Sequence, residues 1–199
     1  MKRSKLLIFI PLIFITNYTY SQESNSSIII ETAVFKTEAH YQEYYATNKI
    51  KDTYENRNTY GIIISYSKRI NLFSDYKLEL RPSILLGDYD VMGVDVGLYL
   101  RSSLYWKIFG LVGLNAHYNF GNSDNHNTWR RKSLEGIYLF YGGSLGLKLS
   151  ERISLQIGYY FTAKNNWRNS WSSDLMRSIH SETDEKLFWV IKVGVEINI

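Results

Sequence analysis

The feature that most constrains the fold of this 199-residue chain is a strict two-residue alternation in its last fourteen residues. A β-strand sends successive side chains to opposite faces, so the segment predicts a closing strand with one continuous apolar face. Its other face mixes polar and small residues, among them Lys192, Gly194 and Glu196. The apolar face carries Leu187, Trp189, Ile191, Val193, Val195, Ile197 and Ile199.

The same alternation recurs along the chain and predicts seven further strands. Short or long polar connectors separate them, and no heptad or nucleotide-binding glycine pattern interrupts the series. Eight antiparallel strands in an up-and-down meander favour a closed barrel, because closure removes exposed sheet edges. The prediction is therefore an all-β, eight-stranded antiparallel barrel. The seven earlier strands are expected at about residues 27–36, 60–70, 75–87, 92–101, 106–120, 134–149 and 153–162.

Composition narrows the function classes. The chain has 23 Lys and Arg against 19 Asp and Glu, for a net charge of +4, which is not the strongly basic balance of a nucleic-acid-binding protein. It has no Cys, which excludes disulfide scaffolds, Cys-based metal sites and thiol nucleophiles. Its 17 Tyr, 9 Phe and 5 Trp suit long strands flanked by aromatic residues.

The N-terminus reads as a secretory signal peptide over residues 1–21, followed by one barrel domain over residues 22–199. A basic start at Lys2 and Arg3 precedes an apolar run, and small side chains at Thr19 and Ser21 fit a cleavage site. The alternative is a short transmembrane anchor, but the apolar run is shorter than the ~20 residues that a spanning helix needs.

Alternation does not say which face of the barrel points outward. A soluble ligand-binding barrel places the aliphatic face inside, and a transmembrane barrel places it toward lipid. An export signal, a mixed polar face and long connectors at residues 37–59, 121–133 and 163–185, alternating with short turns, favour the transmembrane barrel. Aromatic residues near strand ends are expected to form interfacial girdles: Tyr60, Trp106, Tyr118, Phe120, Tyr159, Phe161 and Trp189.

With this pattern, residues 27–199 resemble the small eight-stranded outer-membrane barrels of the OmpA/OmpX type. The resemblance implies a bacterial outer-membrane location, contact with outer-membrane lipid and lipopolysaccharide, and a monomer. It also implies that the barrel-assembly machinery reads the closing strand, through Trp189, Ile191, Val193, Val195, Ile197 and Ile199. Such barrels commonly end on an aromatic residue such as Phe, whereas this chain ends on Ile199.

The polar face of the predicted strands is expected to form an ion-pair network in the lumen, because a buried charge must be paired or solvated. A gated pore or proton path is the functional alternative to structural plugging. Plugging is favoured, because an eight-stranded barrel has room for side chains but hardly for a channel. The expected members are Glu31, Lys77, Glu79, Arg81, Asp95, Arg101, Lys107, His117, Lys148, Gln156, Lys192 and Glu196.

Some barrels of this size are lipid A-modifying enzymes, which need a His–Ser pair with a supporting carboxylate. His180, Ser181 and Glu182 have these residue types, but adjacent strand residues point apart. The four His and the scattered carboxylates show no metal-ligand spacing. We therefore expect no catalytic residues, no metal and no cofactor.

The connectors contain basic-aromatic clusters that could contact lipopolysaccharide phosphates or a surface partner through Arg. The alternative is an aromatic girdle with snorkelling cations. Either way, the expected function is a non-enzymatic outer-membrane barrel with a structural or adhesive role, without nucleic-acid binding. The cluster residues are Trp129, Arg130, Arg131, Lys132, Trp167, Arg168 and Trp171.

Overall fold

A computed structural model describes residues 25–45, 48–73, 75–87, 91–126, 129–162, 166–174 and 179–199, which form eleven strands. The described residues contain no helix that is long and apolar enough to cross a membrane. The predicted signal peptide lies outside them and stays a prediction. The strands are β1 (Ser26–Tyr45), β2 (Asn48–Asn71), β3 (Tyr76–Gly87), β4 (Met92–Tyr105), β5 (Ile108–Asn119), β6 (Asn122–His126), β7 (Trp129–Ser133), β8 (Gly136–Lys148), β9 (Ile153–Thr162), β10 (Asn166–Asp174) and β11 (Ile179–Asn198).

Eight of the strands close into a barrel. Neighbours follow the order β1, β2, β3, β4, β5, β8, β9 and β11, and β11 pairs back onto β1. The closing ladder runs from Ser27 opposite Asn198 to Tyr45 opposite Ile179. All these pairings are antiparallel, which confirms the predicted eight-stranded barrel and its up-and-down order.

Asn25 and Ile199 lie at one end of the barrel. At the other end, six strand segments continue the barrel wall as a sheet, which we call the extension. It comprises residues 38–45 of β1, 48–58 of β2, all of β6, β7 and β10, and 179–186 of β11, in the order β2, β1, β11, β10, β7, β6. The 20 residues of β1 span ~68 Å at ~3.4 Å per residue. Since a tilted strand crosses a bilayer with ~9–11 residues, β1 is long enough to cross the bilayer and also to supply residues 38–45 of the extension.

The extension corrects the prediction that residues 37–59, 121–133 and 163–185 are loops, because most of these residues are in strands. Their backbones pair with neighbouring strands, for example Glu38 with Asn56 and Ser172 with Ser181. Polar residues occupy successive positions of these segments in the sequence, so hydrophobic alternation gave no signal for them.

The barrel turns its aliphatic face outward, as expected for a transmembrane barrel. This is the reverse of a soluble ligand-binding barrel, whose aliphatic residues fill the interior. The outward residues form a belt around every wall of the barrel, and each has about half of its surface exposed. The belt includes Ile62, Ile64, Val96, Leu98, Val112, Leu114, Leu145, Ile157 and Val193.

Outward-facing aromatic residues cluster on β8, β9 and β11, near the extension. The Tyr159 ring lies 4.9 Å from that of Phe161 and 5.4 Å from that of Trp189, and Tyr141 stacks on Phe161 at 5.8 Å. Trp106 is exposed at the opposite rim, in the turn between β4 and β5. Amphipathic aromatic rings at these two levels fit the interfaces that flank a hydrocarbon layer.

Glycines on the inner face make room for large rings in the lumen. A Cβ added to Gly146 would lie 2.0 Å from the Phe109 ring, and one added to Gly97 would lie 2.4 Å from the Tyr99 ring. Because the rings occupy the space that those side chains would need, the interior is a packed core and not an open bore.

A β-bulge in β11 marks the border between the barrel and the extension. Lys36 lies opposite Trp189 and Thr37 opposite Leu187, so Phe188 is an extra residue on β11. Leu187 is fully buried and Phe188 is exposed. The prediction that Leu187 shares the outward face of the closing strand is wrong, because the extra residue reverses the alternation.

Candidate functional site: the filled lumen and the extension

Two fully buried carboxylates, Glu79 and Glu196, organise the lumen near the rim of Asn25 and Ile199. Arg101 Nη1 donates to Glu196 Oε2 at 2.9 Å and to Glu79 Oε2 at 3.3 Å. Arg81 Nε donates to Glu79 Oε1 at 2.5 Å, and Arg69 is paired with Glu196. Each carboxylate therefore receives more than one guanidinium, which compensates its burial.

Hydroxyl groups complete the coordination of these carboxylates. Ser67 donates to Glu79 Oε1 at 2.7 Å, and Ser27 donates to Glu196 Oε1 at 3.2 Å. Arg69 Nη2 in turn lies 2.8 Å from the Ser27 hydroxyl oxygen. Sequence reasoning missed Arg69 because its inward positions on the second strand stopped at Ser67. Arg69 lies two residues further on and so shares that face.

A second layer of charge lies at mid-barrel around Arg81. Its Nη2 donates to Gln156 Oε1 at 3.1 Å, its Nη1 lies 3.9 Å from Glu31 Oε1, and its guanidinium carbon lies 4.9 Å from the Tyr99 ring centroid. Lys192 Nζ lies 5.2 Å from the Tyr160 ring centroid. Within the described lumen, these ring contacts supplement the carboxylates in stabilising the cations.

Near the extension, the lumen becomes aromatic around the buried pair of Asp95 and His117, whose side chains are hydrogen-bonded through His117 Nδ1. Trp167 packs at 6.3 Å from the His117 ring and at 5.8 Å from the Phe35 ring, and Tyr138 meets Trp167 edge-on at 4.8 Å. These rings close the bore on the side of the extension.

Three predicted lumen lysines lie at the rim of the barrel and not in the middle of the lumen. Lys77, Lys107 and Lys148 are half-buried at the rim of the short turns. Lys107 Nζ lies 4.6 Å from the Trp106 ring centroid. The other predicted members are buried: Glu31, Glu79, Arg81, Asp95, Arg101, His117, Gln156, Lys192 and Glu196.

Two of the predicted contact residues, Trp167 and Arg168, are buried, so neither lies on the exposed outer face of the extension. Asn166 lies opposite Lys186 and Arg168 opposite Glu185, so Trp167 is the extra residue of a bulge in β10. The bulge places two consecutive side chains on the inner side. Arg168 Nη1 then donates to Glu185 Oε2 at 3.0 Å.

The remaining cluster residues lie on the extension. Arg130, Lys132 and Trp171 are exposed. The side chains of Trp129 and Arg131 lie outside the described part of the structure.

The predicted assembly strand faces outward from Trp189 to Ile199. Val193, Val195, Ile197 and Ile199 are exposed, and Trp189 and Ile191 are partly covered by neighbouring side chains. Val193 is paired with Thr32 on β1 and with Ile157 on β9.

His180, Ser181 and Glu182 occupy consecutive positions of β11, and each side chain has different surroundings, so the three do not form a triad. The His180 ring stacks on Tyr44 at 4.9 Å, while the Ser181 hydroxyl lies 2.6 Å from the Ser172 hydroxyl. Glu182 is exposed. Within the described residues, no group of three or more His, Asp or Glu side chains is placed to hold a metal ion.

No protein-family model matches the sequence, and no curated protein sequence matches it. Among solved structures, the chain is similar to the outer membrane protein OprG from Pseudomonas aeruginosa, with 13% identity over 88% of this chain and 96% of that chain and a TM-score of 0.48. It is also similar to the N-terminal β-barrel domain of OprF from Pseudomonas aeruginosa, with 16% identity, coverage of 89% and 100%, and a TM-score of 0.41. Neisserial surface protein A shows 14% identity, coverage of 84% and 97%, and a TM-score of 0.40. The architecture assigned here, a small closed eight-stranded antiparallel barrel, rests on the strand pairing of the chain itself.

Proposed function

We propose that this protein is a non-enzymatic outer-membrane barrel that holds the extension outside the cell as a contact surface. The observation that supports the proposal is that the outer surface changes from aliphatic to polar along the same strands. An aliphatic belt surrounds the barrel, whereas the extension segments of β1, β2 and β11 carry polar side chains on both faces. A belt of this kind is stable against hydrocarbon, and a polar sheet is stable in water.

The filled lumen supports a structural role for the barrel. Ion pairs occupy the side of the short turns and rings occupy the side of the extension, so the barrel serves as an anchor. Outer-membrane lipid contacts the belt, and lipopolysaccharide surrounds the base of the extension. Arg130 and Lys132 on the outer face suit anionic groups of such a neighbourhood.

Single-cysteine labelling tests the orientation, because the chain has no native Cys. We expect a membrane-impermeant maleimide to label the Asn56→Cys variant, on the extension, in intact cells. The Glu151→Cys variant, in a short turn, should react only after the outer membrane is opened, and Val96→Cys in the belt should stay unreactive. Labelling of Glu151→Cys in intact cells, with Asn56→Cys protected, would reverse the proposed orientation.

The contact role needs its own test. Cells that display the protein should attach to anionic surfaces more strongly than cells that display the Arg130→Glu, Lys132→Glu double variant at an equal surface level. Equal attachment would refute a role of this face. Mass spectra of lipid A with and without the protein should be identical, and a changed acyl profile would overturn the non-enzymatic assignment.

A further inference from the structure

The inner face of the extension contains a polar cavity that the anchoring role does not explain. It has a volume of about 240 Å³ and is lined by Arg57, Arg168, Ser170, Thr183 and Glu185. These side chains come from three strands, β2, β10 and β11, and β1 runs between β2 and β11. The cavity lies directly beyond the aromatic residues that close the lumen.

The strand register explains why space exists at this point. On β1, the inward residue at the depth of the cavity is Ala39, which lies opposite Glu185 on β11 and opposite Glu55 on β2. Its methyl group is small and fully buried, so it leaves space between the longer side chains of the flanking strands. The adjacent inward residue, Thr37, lies opposite Arg57.

Two guanidiniums give the cavity hydrogen-bond donors for an anion. Arg57 and Arg168 belong to the lining, and the carboxylates of Glu185 in the lining and of Glu55 beside it balance their charge. The Glu185 carboxylate is already engaged, since Arg168 Nη1 donates to Oε2 at 3.0 Å and the Thr37 hydroxyl donates to Oε1. The partner of Arg57 is Glu55 at 3.1 Å, and about half of each of these two side chains is exposed, so water screens their pairing.

Hydroxyls and an aromatic ring point to a sugar-like ligand. Ser170 and Thr183 are cross-strand partners in the lining, and each offers one donor and an acceptor. Tyr41 lies beside the lining, opposite Thr183 on β1, and Lys51 Nζ approaches one face of its ring at 5.2 Å from the centroid. An apolar ring face, two hydroxyls and two guanidiniums match a polyhydroxylated ring that carries one oxyanion.

We propose that this cavity binds an acidic sugar residue, with its carboxylate or phosphate at Arg57 and Arg168, its hydroxyls at Ser170 and Thr183, and its ring face against Tyr41. The volume suits about one monosaccharide unit. A hexuronate of an external polysaccharide and a phosphorylated sugar of lipopolysaccharide share this chemistry. The inference rests on the proposed exposure of the extension outside the cell, although the cavity itself is testable on the purified protein.

The test is calorimetric titration of the folded protein in detergent micelles with glucuronate, glucose 6-phosphate, glucose and inorganic phosphate. We expect saturable binding of at least one of the two acidic sugars, and about tenfold weaker binding of glucose, since a charge-assisted contact contributes about this factor. Tighter binding of glucuronate would indicate a uronate-containing polysaccharide, and tighter binding of glucose 6-phosphate would indicate a phosphorylated glycolipid. Failure of both acidic sugars to bind would overturn the proposal, and phosphate binding as tightly as either would overturn the sugar assignment.

Variants locate the site. Arg57→Gln should weaken binding of the acidic sugar about tenfold, and Tyr41→Ala and Ser170→Ala should each weaken it about threefold or more. Arg152→Gln, in an exposed short turn at the opposite rim, removes the same charge and should leave binding unchanged. About half of the Arg57 side chain is exposed, so its substitution is not expected to unfold the extension. Equal affinities of the Arg57→Gln and Arg152→Gln proteins would refute the site, whereas the labelling experiment on Asn56→Cys reports separately on orientation.

Discussion

Arg101 and Glu196 are joined across the lumen by hydrogen bonds of 2.9 and 3.1 Å from Arg101 Nη1 to both carboxylate oxygens. The two residues belong to β4 and β11, which stand four strands apart in either direction around the eight-stranded wall. Arg81 on β3 and Gln156 on β9 are related in the same way, at 3.1 Å. The buried polar network therefore ties opposite walls of the barrel to each other.

This geometry predicts strong coupling between Arg101 and Glu196. Glu196→Ala should lower the free energy of unfolding by about 3–5 kcal/mol, because it leaves buried guanidiniums without their carboxylate. The Arg101→Met, Glu196→Met double variant should be destabilised by much less than the sum of the single variants. Urea unfolding in lipid vesicles, followed by tryptophan fluorescence, measures both, with exposed Glu182→Gln as the control. Additive costs would contradict the cross-lumen pairing.

Val193 tests the outward face of the closing strand. It lies at the middle of the segment of β11 that pairs with β9, and 52% of its surface is exposed. Val193→Arg should cost about 2–4 kcal/mol at the bilayer midplane, whereas Leu149→Arg, near the rim, should cost about 0–1 kcal/mol. The folded fraction is read from the difference in gel mobility between unheated and heated samples. Equal folding of the two variants would argue against a lipid-facing position for Val193.

Trp167 and Trp171 provide a matched pair on β10. Trp167 is 0% exposed among aromatic neighbours, and Trp171 is 40% exposed. Trp167→Ala should destabilise the protein by about 3–5 kcal/mol through the cavity it leaves, and Trp171→Ala by roughly 0.5 kcal/mol or less. Thermal unfolding in micelles distinguishes them. A larger effect of Trp171→Ala would place Trp167 outside the core.

Because side chains fill the lumen, we expect the barrel not to conduct ions. In planar bilayers, the purified protein should produce no stepwise ion conductance, because side chains occupy the bore from the Glu79 and Glu196 layer to the rings around Trp167. Reproducible single-channel steps, absent from a mock preparation, would contradict a closed lumen.

Asp52 should titrate abnormally at the tip of the extension. The Lys49 ammonium, and then His40 Nε2 at 2.6 Å, hold the pKa of the Asp52 carboxyl below its ordinary value. A depressed folded-state pKa contributes stability that is present above the unfolded pKa and is lost as pH falls through the folded value. Carbon-13 NMR titration should show this low pKa, and Lys49→Ala should raise it. An unchanged pKa in that variant would exclude the Lys49 contact in solution.

The barrel itself was predictable from sequence because side-chain direction alternates along a strand. One face of each barrel strand contacts lipid and the other contacts a packed interior. Hydrophobicity therefore alternates with the same two-residue period as side-chain direction, as it does at Lys192 and Val193. Residues such as Glu79, Arg81 and Glu196 were therefore predictable as inward-facing. Their mutual contacts were not, because pairing between opposite walls depends on the register around the whole barrel.

The extension was not predicted, because its segments lack the hydrophobic alternation that marks the barrel strands. Residues such as Glu38, Asn56 and Ser172 belong to segments with polar side chains on both faces, so their place in a sheet shows only in the pairing with neighbouring strands. The bulges at Phe188 and Trp167 were equally invisible, since an extra residue shows only against its partner strand.

The last fourteen residues by themselves thus determined an outward face and an inward face, because alternation is a local property of the extended backbone. Only the tertiary structure decided where that alternation stops. The bulge at Phe188 turns Leu187 inward, and two residues earlier Glu185 joins Arg168 at the polar cavity. Such a change of phase arises from hydrogen bonding with β1, a partner more than a hundred residues away in sequence.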